Sequence, residues 1–257
     1  MNQQTRYRSL FSSQFVVLTF VAICTILDPA RSKKPSIPSE GCNVTVEIST
    51  VLAQNITLLY DSLDLQAIDS SELKKFMGSQ AKPMVMDMPE MIVVVYPAEP
   101  LVIQMGDRRT RITLQQGSHD IGELPLWEIA LKCNQLVAKT KSTLVAYGFN
   151  YDVGVILTSE NANEAVLDLF ISDSQVIEDA LEGHILSFVP RLIFQQDQTR
   201  YDLVLEPMAE QRIKVHLNAH FEFEGIVLPH KDQLKASFHE EFEYLASILP
   251  RLFKEEK

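Results

Sequence analysis

The chain has 257 residues, 46% of them hydrophobic and 22% charged, with a formal net charge of -11 and an isoelectric point near 5.0. That balance argues against nucleic acid or an anionic membrane surface as the main partner, since either would be repelled. The three cysteines, Cys24, Cys42 and Cys133, are too few and too scattered for a disulfide framework or a zinc site, although Cys42 and Cys133 could pair if a leader were removed.

The length suits one large domain, or one domain with an appended segment, and is enough to bury a sizeable core. Residues 1–40 read as that appended segment. Arg6 and Arg8 precede an apolar run over residues 15–27, followed by a linker punctuated by Pro29, Ser32, Pro35, Ser36, Pro38 and Ser39. A basic start and a short apolar stretch resemble a secretory signal, and the run is too short for a stable membrane span. The residues after it do not form the usual small-residue cleavage site, so a transit peptide or an upstream extension fits as well. The first reading implies a secreted or periplasmic protein, the others leave it cytoplasmic. Asn43-Val44-Thr45 and Asn55-Ile56-Thr57 are glycosylation sequons, relevant only in a eukaryotic secretory pathway.

From residue 44 the periodicities predict a single α+β domain spanning residues 41–257. Val44, Val46 and Ile48 alternate with polar residues as a first strand. Asp69 or Ser70 caps a short helix with Leu73, Phe76 and Met77 on one face, ended by Gly78. Residues 83–89, with Met84, Met86 and Met88 between prolines, read as a loop. Short strands follow over residues 91–96 and 101–105, and Gly106-Asp107 turns the chain into a third strand carrying Thr110, Ile112 and Leu114. A helix over residues 125–139 opens at Pro125, with Trp127 anchoring it to the sheet and Cys133 packed on its apolar side.

Val145, Tyr147, Phe149, Tyr151, Val153 and Val155 then alternate without fault against Ala146, Gly148, Asn150, Asp152 and Gly154, a long strand with one bulky and one small-residue face. Glycines inside a strand point to a bulge or a close approach by another backbone. Residues 166–171 read as a further strand, Asp173 or Ser174 as the cap of a helix bearing Ile177, Ala180 and Leu181 and closed by Gly183, and residues 185–189 and 192–194 as extended chain. The plainest pattern comes near the end. Tyr201, Leu203 and Leu205, then Ile213, Val215, Leu217, Ala219, Phe221 and Phe223, define the buried stripe of an antiparallel hairpin, with His216, Asn218 and His220 on its wet face. Leu234, Phe238, Phe242, Leu245, Ile248 and Leu249 form the stripe of a closing helix that Pro250 should break or kink.

No motif here carries catalysis. Gly117-Ser118-His119-Asp120 holds the residue types of a hydrolase triad, but consecutive loop residues do not reach triad geometry with one another. His239-Glu240-Glu241-Phe242-Glu243 matches a zinc-protease helix in two letters only and reads as an exposed i,i+4 pair of His239 and Glu243. His216 and His220 stand about 13 Å apart along a strand, too far to share a metal without intervening ligands. The sequence therefore assigns no catalytic residue, metal ligand or cofactor. Candidate binding residues are three separated groups: Arg108, Arg109 and Arg111 at a turn, where a carboxylate or phosphate could dock; Asn150 and Asp152 with Gly148 on the small-residue face; and His216 with His220. The ordinary reading of each is a solvated surface.

The order of a strand over residues 109–115, a helix opening at Trp127, the long strand through Ala146-Tyr147-Gly148-Phe149-Asn150-Tyr151, the hairpin and the closing helix resembles that of a set of poorly characterised bacterial proteins. It is similar in outline to the SecB-type chaperone fold, over residues 44–253. The resemblance implies an antiparallel sheet backed by helices and transfers no functional residue.

Two functional expectations follow. The first is a non-catalytic binding or chaperone-like protein that holds a polypeptide at a sheet edge or apolar groove, or forms a homo-oligomer. The second is an enzyme or small-ligand binder whose site is assembled from the dispersed groups above. A pocket gathering at least two of those groups distinguishes the second from the first.

Overall fold

In the computed structural model, which describes residues 45–78, 82–118, 121–122, 124–158 and 161–253, two long strands form the middle of a nine-stranded sheet. These are β1 (Val46–Tyr60) and β6 (Leu144–Leu157). β1 pairs on one side with β5 (Arg109–Ser118), and beyond it lie β4 (Leu101–Gly106), β3 (Met91–Tyr96) and β2 (Met84–Met88). β6 pairs with β9 (Arg212–Phe221), followed by β8 (Thr199–Pro207) and β7 (Arg191–Gln196). Every neighbouring pair is antiparallel. The helices are α1 (Ser70–Leu73), α2 (Leu126–Ala138), α3 (Ala162–Phe170), α4 (Ser174–Leu181) and α5 (Lys231–Leu252). This is an α+β fold. The described residues belong to one unit, Cys42–Lys257, and none of their helices is long and apolar enough to cross a membrane.

Alternation gives the sheet two unlike faces. The apolar face carries Ile56 and Leu58, Ile112 and Leu114, Phe149, Tyr151 and Val153, and Val215 and Leu217, all buried. α2 and α5 cover it. From α5, Phe238 projects among Trp127, Phe149 and Tyr151, with ring centroids 6.3, 5.4 and 5.1 Å away. Trp127 thus ties α2 to α5, and its ring also lies 5.7 Å from that of His239. His239 is accordingly half-buried and its Nε2 shut away without a partner, which corrects the expectation of an exposed His239–Glu243 pair. Burial, then nearby Lys235, lowers its pKa. Cys133 is fully buried, and burial pushes its thiol pKa up.

Several elements depart from the sequence reading. The hairpin β8–β9, the plainest pattern in the sequence, lies toward one edge of the sheet. Phe221 packs on Tyr147, but Phe223 lies beyond the end of β9 and is 43% exposed, because the alternation outruns the ladder. Residues 84–88 form an edge strand between prolines, a position that tolerates their missing N–H groups. Residues 166–170 belong to α3, because Asn161 caps a helix start, accepting from the N–H groups of Asn163 and Glu164. Residues 185–189 form no strand: the Glu178 carboxylate accepts from Ile185 N–H at 2.8 Å and Asn163 Oδ1 from Phe188 N–H at 3.0 Å, diverting backbone donors from any ladder. α4 exposes Val176 and Leu181, and Glu182 rather than Gly183 takes the left-handed closing position, φ 51°. Pro250 sits within the last turn of α5, which runs on to Leu252. The leader, Cys24, Cys42, Asn43, Val44, His119 and Asp120 lie outside the described residues.

Candidate binding site on the polar sheet face

The second face of the sheet is polar, and the register decides what it presents. Thr113 of β5, Asn55 of β1, Asn150 of β6 and Asn218 of β9 stand opposite one another in a single row across four strands. Their side chains run head to tail. Asn218 Nδ2 donates to Asn150 Oδ1 at 2.5 Å, Asn150 Nδ2 to Asn55 Oδ1 at 2.9 Å, and Asn55 Nδ2 to Thr113 Oγ1 at 2.6 Å. The Thr57 hydroxyl donates to the same Asn55 oxygen at 2.7 Å. Linked amides of this kind polarise one another, so the row is a rigid and directional floor.

The neighbouring rows complete the site. On one side Arg111, Thr57, Gly148 and His220 share a row. On the other, Ala53, Asp152 and His216 do. Gly148 leaves its row open at the centre, and a Cβ placed there would lie 3.0 Å from the carbonyl oxygen of Ala219. At Gly154 a Cβ would lie 2.8 Å from Thr50 Cγ2, opposite an irregularity in β1 between Ile48 and Thr50. Close approach by neighbouring chain, as expected for glycines in a strand, holds at both positions.

The result is a depression of about 490 Å³ whose lining includes Arg109 and Arg111, Gly148, Asn150 and Asp152, and His216 and His220. Seven of the eight candidate residues named from the sequence, Gly148 included, therefore meet in one place. Arg108 is the exception: it is exposed, sits at the turn with φ 58°, and is absent from the lining. Asn55, Thr57, Gln104, Thr113 and Asn218 also line it and were not among the candidates. Asn55 and Thr57 did show as a sequon, but the Asn55 amide nitrogen is engaged within the sheet rather than displayed on a surface loop.

Charges around the depression are unevenly placed. His216 Nδ1 lies 2.8 Å from Asp152 Oδ1, and His220 Nε2 lies 3.1 Å from Glu222 Oε2. The first contact leaves His216 Nε2 uncommitted. On the opposite wall Arg109 meets Asp107 at 3.2 Å in an exposed pair, of a type worth little, while Arg111 makes no salt bridge among the described residues. Among the described residues no group of three or more His, Cys, Asp or Glu side chains is placed to hold a metal ion. No protein-family model matches the chain, and no curated protein matches it.

Proposed function

We propose that this protein binds a small polar molecule in the depression on the open face of its sheet, without chemical conversion. The observation that carries this reading is the convergence of three groups far apart in the chain, at residues 109–111, 148–152 and 216–220, over a floor left open by Gly148. A concave site of this volume with converging polar groups is the usual form of a metabolite pocket. The Thr57 hydroxyl donates to Asn55 and the Thr113 hydroxyl accepts from it, so both belong to the polar floor of the depression.

The test is a thermal-shift screen of a library of water-soluble metabolites against the wild type and Thr57→Tyr, which fills the depression from its floor. A ligand at 100 times its Kd stabilises by about 2.7 kcal/mol, which for a domain of this size raises Tm by roughly 5–11 °C. Compounds should produce such shifts in the wild type and not in the variant. If every shift found is the same in both, or none is found, the reading fails.

A second reading, capture of a polypeptide or of another copy of the chain at a sheet edge, draws support from the two unpaired edges. β2 exposes Met84 and Met86, at 59% and 53%, and β7 exposes Ile193, at 62%, near the 90%-exposed Leu186. Suppression of aggregation of an unfolded client, lost in Met84→Lys/Met86→Lys or Ile193→Lys, would favour it.

A further inference from the structure

The depression has a polarity that bears on what occupies it. The chain is acidic, at -11, yet the lining contains two arginines against one carboxylate, Asp152, and that carboxylate is held by His216 at the end away from the arginines. The floor adds to this asymmetry. Asn55, Asn150 and Asn218 each spend one amide hydrogen on the row and retain a second, and Thr113 accepts from Asn55 while keeping its own O–H to donate. The amide oxygens of Asn55 and Asn150 are already occupied. What the floor offers upward is therefore mostly donors. The row also points one way, each donor facing the next acceptor from β9 toward β5, so its positive end lies beside the arginine wall. There the guanidinium groups of Arg109 and Arg111 line the depression, and Arg111 has no salt-bridge partner among the described residues.

We propose that the occupant is an anion, its carboxylate or phosphate oxygens held by Arg111 and Arg109 beside Thr113, over the remaining N–H groups of Asn55 and Asn150. This rests on the small-molecule reading above and specifies its chemistry. Arginine's fixed fork of donors suits either head group. Arg111 and His220 stand three inter-strand spacings apart, about 14 Å between backbones, which leaves room for a metabolite-sized body extending from the anionic head across Gly148 toward the histidines.

The experiment titrates four probes of differing charge, each at constant ionic strength: inorganic phosphate, succinate, 1,4-butanediol and 1,4-diaminobutane. Binding is read from the amide signals of Gly148 and of the Asn55, Asn150 and Asn218 side chains in ¹H–¹⁵N spectra. Phosphate or succinate should move these signals, and the better of the two identifies the head group. Arg111→Gln should weaken that binding by roughly tenfold or more, the loss of one charge-assisted contact. Arg108→Gln removes the same charge at the same turn but away from the lining, and should leave binding unchanged. Equal weakening by both variants would reduce the effect to net charge and overturn the proposal. If the diol or the diamine moves the floor signals and the anions do not, the anion inference falls while the small-molecule reading stands. If none of the four moves them, the anion inference is again overturned, and the metabolite screen with Thr57→Tyr decides the broader reading by itself.

Discussion

Truncating Phe238 to alanine should remove the contact that joins all layers of the fold. The side chain is fully buried, and its ring meets Trp127 of α2 and Phe149 and Tyr151 of β6 at centroid distances of 6.3, 5.4 and 5.1 Å. Its backbone carbonyl also accepts from the Tyr151 hydroxyl, a bond the substitution leaves in place, so the loss reports packing alone. A phenylalanine buried to this degree removes about 150–250 Å² from water, worth about 4–6 kcal/mol at 25 cal/mol per Å², and Phe→Ala losses in protein cores run about 3–5 kcal/mol. A loss near 4 kcal/mol should lower Tm by roughly 8–16 °C for a domain of this size. Urea unfolding followed by tryptophan fluorescence measures it directly, since Trp127 is the only tryptophan and borders the cavity created. A loss below about 1 kcal/mol would mean that α5 does not pack on the sheet through this residue, and the two-layer reasoning would be wrong.

Two further outcomes separate the buried from the exposed face and test a buried acid. Phe221→Ala, which loses stacking on Tyr147 at 4.7 Å and an edge contact with Phe149 at 5.4 Å, should cost about 1–3 kcal/mol in thermal or urea unfolding, whereas Phe223→Ala should cost under about 1 kcal/mol; the reverse order would place the end of β9 wrongly. Glu241 has a carboxylate oxygen closed off without a partner, and burial raises its pKa above the ordinary 4.5 against the opposing effect of Tyr201. With the folded-state value raised, its contribution is fully present below the unfolded pKa and is lost as pH rises through the folded one. Glu241→Gln should therefore gain stability relative to wild type as pH increases from about 4 toward neutrality, and parallel melting-temperature profiles for the two proteins would contradict this.

Much of the sheet was legible because alternation depends only on local residue order. The faces of β5, β8 and β9 and of β6 from Tyr147 onward, the cap of α1 by Asp69 and the apolar stripe of α5 follow from spacing alone, whereas Val145, read with the bulky stripe of β6, is exposed where the register of β1 shifts between Leu59 and Tyr60. Elements failed where a single polar side chain decided the outcome: Asn161 turned a β-like run into α3, and Glu178 and Asn163 held residues 185–189 out of any ladder. The site was legible as separate groups but not as a place. Bringing Asn55 opposite both Asn150 and Thr113 depends on the insertion of β1 between β5 and β6, and bringing Asp152 opposite His216 on the pairing of β6 with the distant β9. No local pattern encodes that insertion. The amide row was missed for the same reason, since Asn55, Asn150 and Asn218 are separated by long stretches of chain and gain meaning only once the strands pair.

The most direct measurement of the central claim is a ¹H–¹⁵N spectrum recorded with the strongest stabilising compound from the metabolite screen. Binding on the polar face predicts that the side-chain amides of Asn55, Asn150 and Asn218 shift together with the backbone amide of Gly148, since all four line one depression. Shifts confined to Met84, Met86 and Ile193 on the edge strands, with the amide row unmoved, would contradict it.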